Sequence, residues 1–308
     1  MKEKNSAAVK LGKQVKQVLR TNYSGWLFTL PLTIGILVFT IYPMIQSLYY
    51  SFFDFSGFNT FEFAGWGNYE QIFKIDTEFY KVLSNTVLYA VISVPLMLVL
   101  SYFVALLVNM QVKGVTVFRV FYYLPCMIPG VVSSVIWKDI MSDTGALNTI
   151  LSLFNIPPNP FFSAASTSMF AVIVMGLWGV GGGMVLWIAA FKNIPTALYE
   201  AAKIDGAGAM RRLVSITIPM STSMIFYNLV TGIIGSLQIN STMIFAPQGG
   251  KGMEGSIYFY AVKIYKEAFE YYSLGYACAL AWVLFIIIAA LTAVVFKTSK
   301  WVYYGEDA

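Results

Sequence analysis

Asn193-Ile194-Pro195-Thr196-Ala197-Leu198-Tyr199-Glu200-Ala201-Ala202-Lys203-Ile204-Asp205-Gly206-Ala207, running on to Ile216-Thr217-Ile218-Pro219, is a polar insert between two long apolar runs. Pro195 suits a first helical turn, where its missing N–H costs nothing. Ala197 to Ala202 forms helix well. Gly206 takes a left-handed backbone readily, so the helix ends and the chain turns there. Arg211 and Arg212 then open a second helix, which Pro219 meets where the next apolar run begins. Glu200 and Asp205 offer charge-assisted hydrogen bonds to a partner's basic groups, and Ala201 and Ala202 let another backbone come close. The same alanines would also serve an ordinary amphipathic connector, so the flanks matter.

The flanks are those of a membrane protein. Of 308 residues, 58% are hydrophobic and 11% charged, against about a quarter charged in a soluble domain. The net charge is +5. No nucleic-acid motif or clustered basic groove accompanies it, so no nucleic-acid partner is expected. Cys126 and Cys278 both stand in apolar runs and imply no disulfide framework. They read as small packing residues. Histidine is absent, which removes the commonest proton shuttle, metal ligand and catalytic base together.

Six segments are apolar and long enough to cross about 30 Å of hydrocarbon: residues 26–50, 85–109, 118–141, 168–191, 221–245 and 273–296. The first uncharged run, 21–53, is too long for a cleavable apolar region and holds no small-residue cleavage site, so it reads as a retained span. Pro31 and Pro43 should bend it. Pro125 and Pro129 stand near the start of the third span. Gly176, Gly179 and Gly181-Gly182-Gly183 give the fourth either close packing or a locally broken helix. The expected architecture is therefore all-α and polytopic, with six transmembrane helices. A tail covers 1–20, a six-span domain 21–300 and a second tail 301–308, with the 193–219 insert between spans four and five.

Charge placement gives the sidedness. The first tail carries six Lys/Arg, the turn after span two has two, the insert with Lys192 four, and the last tail two. The three remaining loops, with Lys138, share six. The positive-inside rule places both termini and the insert in the cytoplasm.

Chemistry of its own is scarce. Gln248-Gly249-Gly250-Lys251-Gly252 has the wrong spacing for a phosphate loop, follows no strand and falls on the outer side. No catalytic triad, metal cluster or cofactor motif is present. The spans hold no buried acid or base of the kind that marks ion pathways and proton relays. The chain thus lacks an energy source, and something must dock to supply one. For a solute, the fifth span offers Asn228, Thr231, Gly232, Gly235 and Thr242, which fall within about 60° of one helical face. Such a stripe can hydrogen-bond a neutral polyhydroxylated solute, or it can pack small residues between helices. Gln238 and Asn240 lie off it. Trp137, Trp178 and Trp187 can stack on sugar faces or anchor at the membrane interface.

The insert resembles the signature of ABC transporter permeases: Glu-Ala-Ala, three residues, Gly, nine residues, Ile, one residue, Leu-Pro. Glu200-Ala201-Ala202, Gly206, Ile216 and Pro219 stand at those spacings, and Ile218 replaces the usual Leu. The likeness extends through Leu124-Pro125, Pro129, Trp137, Gly145, Asn148, residues 184–195, Tyr265, Ala268-Phe269, Gly275 and Trp301-Val302-Tyr303-Tyr304-Gly305-Glu306. Over nearly the whole chain it looks like the MalF/UgpA-type permeases of binding-protein-dependent sugar importers. One departure is Gly249-Gly250-Lys251, where the family often has Gly-Gly-Pro; here Pro247 comes earlier.

The resemblance implies a non-catalytic subunit in a bacterial cell membrane that forms half of a pathway for oligosaccharides or related carbohydrates. Its implied partners are a second, different permease, a pair of cytoplasmic ATPases and an external solute-binding protein. Glu200, Ala201, Ala202, Asp205 and Gly206 would dock in a cleft of an ATPase subunit. Two other readings stay open: an ion-coupled carrier or facilitator acting alone, and the same machinery carrying a peptide, amino acid or phosphorylated polyol.

Overall fold

The computed structural model describes residues 23–58, 60–110 and 113–303. The expected tail at 1–20 and the Tyr304-Gly305-Glu306 part of the resemblance lie outside the described residues. The chain enters as α1 (Tyr23–Ile36), a π turn (Leu37–Ile41) and α2 (Tyr42–Tyr50). Pro43 stands two residues past the end of this π turn, and Pro219 stands likewise past another at Leu213–Thr217. A proline ring crowds the carbonyl four residues back and donates nothing, so the preceding turn widens to absorb it. The first span is thus bulged at Pro43, whereas Pro31 sits within α1 with no break in the helix.

A short antiparallel hairpin follows, β1 (Phe53–Phe55) on β2 (Phe61–Phe63), with Asp54 opposite Glu62. After α3 (Gly67–Glu70) comes the longest helix, α4 (Phe79–Val108), of 30 residues and about 45 Å at 1.5 Å per residue. Val115–Met127, Ala165–Leu177, Gly181–Lys192, Thr222–Leu237 and Tyr260–Phe269 all pack against it. Arg119 closes its C-terminus, with Nε and Nη2 donating to Val108 O at 3.0 and 2.8 Å. That satisfies a terminal carbonyl which has no partner within the helix.

The expected third span is two helices, α5 (Val115–Met127) and α6 (Gly130–Ile140), bent by 101°. Pro129 forces the residue before it out of helical geometry, and Ile128 is extended at φ −79°, ψ 127°. After α7 (Ala146–Leu153), the fourth expected span is α8 (Ala165–Leu177) and α9 (Gly181–Lys192), bent by 46°. At this break Trp178, Gly179 and Val180 bond three residues back, to Met175, Gly176 and Leu177. The turn therefore tightens before the helix restarts. Glycine serves close approach here: a Cβ on Gly181 would stand 2.0 Å from Tyr122 O.

The insert forms α10 (Thr196–Ile204), α11 (Ala209–Arg212), the π turn Leu213–Thr217 and α12 (Ile218–Met220). Then come α13 (Thr222–Leu237), α14 (Thr242–Phe245), α15 (Tyr260–Phe269) and α16 (Leu274–Lys297). Four helices or helix runs, Leu27–Tyr50, Phe79–Val108, Thr222–Phe245 and Leu274–Lys297, are long and apolar enough to cross a membrane. The number rises to six if each bent pair is one span. Phe28 and Phe39 are over 80% exposed, as lipid-facing side chains of a membrane-embedded body would be.

Two apolar clusters sit at opposite ends of α4. One gathers Ile72, Phe79, Val82, Phe259, Tyr260 and Leu280, and the other Val104, Val108, Met184, Trp187, Phe191 and Ile194. The first joins α4 to the segment before α15. The second joins it to the insert.

Candidate functional site

A cavity of about 410 Å³ lies between α4, the α8–α9 break, α13 and Ile239–Ser241. Asn228, Thr231, Gly232 and Gly235 all line it, together with Tyr89, Ser93, Ser101 and Ser236, and no lining residue is charged. Three of the lining hydroxyls already spend their protons on carbonyls of their own helices. Thr231 Oγ1 donates to Tyr227 O at 2.9 Å, Ser236 Oγ to Ile233 O at 2.9 Å and Ser101 Oγ to Leu98 O at 3.1 Å. Asn228 Nδ2 donates to Met224 O at 2.9 Å, which leaves its amide oxygen as the free acceptor. Back-bonding of this kind offers oxygen lone pairs to an occupant. A solute rich in hydroxyl donors complements such a wall.

Thr242 departs from the expected stripe. It is fully buried, its Oγ1 has no hydrogen-bond partner among the described residues, and it does not line the cavity. The cause is the end of α13 at Leu237, after which counting at 100° per residue no longer applies. The same unwinding turns Asn240 and Ser241 into the cavity, though Asn240 was expected off the stripe. Gln238 stays outside.

The tryptophans find protein partners. Trp187 is 1% exposed and donates from Nε1 to Ser101 Oγ at 2.9 Å, so it is neither an interface anchor nor a free stacking platform. Trp137 and Trp178 pack edge to face on each other, with centroids 5.7 Å apart.

In the insert, Pro195 stands just before α10 rather than within it. Gly206 has φ +73°, and its N–H reaches Lys203 O at 3.1 Å while that of Ala207 reaches Ala202 O at 2.8 Å. This pair of bonds is the Schellman C-terminal cap, which glycine adopts without steric cost. Glu200, Ala201 and Asp205 are exposed and Ala202 is half-buried. Ile204 is 87% exposed, an apolar side chain free to meet a partner. Tyr199 Oη and Thr217 Oγ1, 2.9 Å apart, tie α10 to the run that leads into α13.

Sequence reasoning missed a buried ion cluster at the other end of α4. Lys263 Nζ lies 2.9 Å from Asp76 Oδ2, 3.3 Å from Glu267 Oε1 and 3.7 Å from Glu78 Oε2, with its side chain 3% exposed. Tyr276 Oη donates to Asp76 Oδ2 at 2.6 Å. Burial alone would raise the Asp76 carboxyl, but the bonds from Tyr276 and Lys263 outweigh it and hold it below the usual carboxylate range. Burial would lower Lys263, yet Asp76 and Glu267 keep it above the usual lysine value. Burial pushes Glu267 up, against the pull of Lys263. The one available signal was the spacing of Lys263 to Glu267 and Lys266 to Glu270, each an i,i+4 pair.

Comparison with known proteins identifies the family. Residues 76–301 match the family model described as binding-protein-dependent transport system inner membrane component. The chain is 32% identical over 295 residues to the probable ABC transporter permease protein YesP of Bacillus subtilis (strain 168), covering 95% of this chain and 96% of that one. It is 30% identical to the lactose transport system permease protein LacF of Rhizobium radiobacter, covering 90% and 94%. Among solved structures, a chain of a bacterial alginate ABC transporter, in complex with an alginate pentasaccharide-bound periplasmic protein, superposes with a TM-score of 0.81 at 19% identity. It covers 92% of this chain and 96% of that one. The chain is a multi-pass membrane protein, and it belongs to the family of inner membrane components of binding-protein-dependent transport systems.

Proposed function

We propose that the chain is the permease subunit of an ATP-driven, binding-protein-dependent importer of oligosaccharides or related carbohydrates. In this reading it forms half of the pathway beside a second, different permease and hydrolyses nothing itself. Six crossings of the bacterial cell membrane place both termini and the insert in the cytoplasm. A pair of ATPases there receives Glu200, Ala201, Ala202, Asp205 and Gly206, and an external solute-binding protein delivers the solute. The carrying observation is the uncharged, hydroxyl- and amide-lined cavity that holds Asn228 and Thr231. The names of relatives such as LacF and the multiple sugar-binding transport system permease protein MsmF support a sugar cargo.

The structure supports a route for coupling. A push on α10 reaches Thr217 through Tyr199, and from there Ser221, whose N–H bonds to Thr217 O and Ile218 O at 3.1 Å. Ser221 directly precedes α13, the helix that carries Asn228 and Thr231. Motion at the insert is therefore felt at the cavity wall.

The test is reconstitution of this chain with its second permease, ATPases and binding protein in vesicles. Uptake of neutral oligosaccharide should require ATP, and Asn228→Ala should lower uptake while leaving assembly intact. An Asn228→Ala variant that fails to assemble would assign the stripe to packing. Uptake against a gradient by this chain alone, driven by protons or sodium, would overturn the reading.

A further inference from the structure

We propose that Lys263, clasped by Asp76 and Glu267, is a positioning residue for transport. It fixes the segment 249–260 against the Tyr89 end of the cavity, so that this segment, α4 and α16 move as one piece. The inference rests on the function proposed above.

The cluster joins parts of the chain that are far apart in sequence. Asp76 precedes α4, Lys263 and Glu267 belong to α15, and Tyr276 belongs to α16. Lys251 adds an ion pair to Glu78 at 2.8 Å, and Lys266 Nζ donates to Gly249 O at 3.2 Å. Stability alone does not call for such a cluster, because buried ion pairs are often replaceable by apolar groups at no loss. The neighbourhood is already apolar, with Ile257, Phe259 and Tyr260 all 0% exposed. What charges add to apolar contact is register: one arrangement satisfies all of them, while greasy surfaces slide.

The register reaches the cavity. Lys263 stands one turn into α15, which begins at Tyr260. Tyr260 N–H donates to Thr86 Oγ1 at 2.9 Å, and the Phe259 ring lies 5.3 Å from that of Tyr89, a cavity-lining residue. At the far side Tyr260 Oη donates to Leu280 O in α16 at 3.1 Å. A displacement of 249–260 must therefore be passed to α4 and α16, not lost in the loop.

The test uses the full transport complex carrying Lys263→Met, Asp76→Asn and Glu267→Gln together. This set removes the charges without stranding one in the interior, the change that unfolds proteins. The triple variant should assemble and keep basal ATPase within about twofold of the unmodified complex. Its solute-driven uptake should fall about tenfold, the scale of a typical coupling energy, while Lys263→Arg retains most of it. Uptake equal to that of the unmodified complex would overturn the proposal, and so would failure of the triple variant to assemble, which would make the cluster structural only. An unmodified complex that imports nothing would bring down the functional reading as well, so the two failures are distinguishable.

Discussion

At Gly206, φ is +73° and a Cβ would meet nothing within 4 Å, so the objection to a larger residue is the backbone and not the space. A β-branched side chain in that conformation costs about 1–2 kcal/mol and would pull the α10 cap open. Gly206→Val should therefore cut solute-stimulated ATPase in the assembled complex several-fold, whereas Gly206→Asn, which accepts the left-handed region, should keep most of it. Unchanged stimulation in the valine variant would remove Gly206 from the coupling route. The Lys263 cluster makes a second residue-scale prediction. Asp76 has a folded pKa below its ordinary 3.8, so its contribution to stability is present above that value and lost as pH falls through the folded one. Lys263 has a folded pKa above 10.5, so its contribution persists at neutral pH and is lost only as pH rises through that higher value. Glu267 is raised and opposes Asp76 on the acid side. The melting temperature of the complex should stay level from about pH 6 to 9 and fall below about pH 4. The neutralised triple variant should show a shallower acid limb, and an identical limb would deny Asp76 this role. Gly206 was legible beforehand because its signature is one of spacing along the chain. Lys263 was not, because nothing in a linear string says that a lysine between two spans is buried.

Elements were legible as apolar runs but not as shapes. Hydropathy marked residues 118–141 as one crossing, while Pro129 turns that run through 101°. Proline announced a break; the angle comes from what α5 and α6 pack against. In the fifth span, helical counting held for Asn228, Thr231, Gly232 and Gly235 and failed at Thr242, since periodicity carries no notice of where α13 unwinds. The glycine run was open to two readings, and both apply, because α8–α9 bends there and Gly181 also lets α9 touch α5. Gly181→Ala puts a methyl group 2.0 Å from Tyr122 O, a backbone atom that cannot rotate aside. Overpacking of this kind costs about 1–3 kcal/mol. The variant should give a lower melting temperature and less assembled complex, measured beside Gly130→Ala, whose new methyl meets nothing within 4 Å. Equal stability of the two would mean that α5 and α9 separate freely.

For the whole molecule, two unrelated features point to the same vectorial arrangement. Lys and Arg gather on the segments of the insert side, and contacts pin the insert and the 249–260 segment to opposite ends of α4. Val108, at the C-terminus of α4, shares a cluster with Phe191 and Ile194 at the root of the insert. Near the N-terminus, Asn85 Nδ2 donates to Gly255 O at 2.8 Å and Tyr258 O at 3.2 Å. A helix of about 45 Å is as long as the bilayer is thick, headgroups included. The two attachments should then face different compartments. Asp205 and Glu254 are both exposed and make suitable reporters once Cys126 and Cys278 are replaced. In right-side-out vesicles, an impermeant thiol reagent should label Glu254→Cys at once and Asp205→Cys only after the membrane is opened. Labelling of both from outside would mean that α4 does not cross. The reverse order would put the insert beyond reach of any cytoplasmic ATPase, and with it would go the reason for Glu200-Ala201-Ala202 and Gly206 to stand at their spacing.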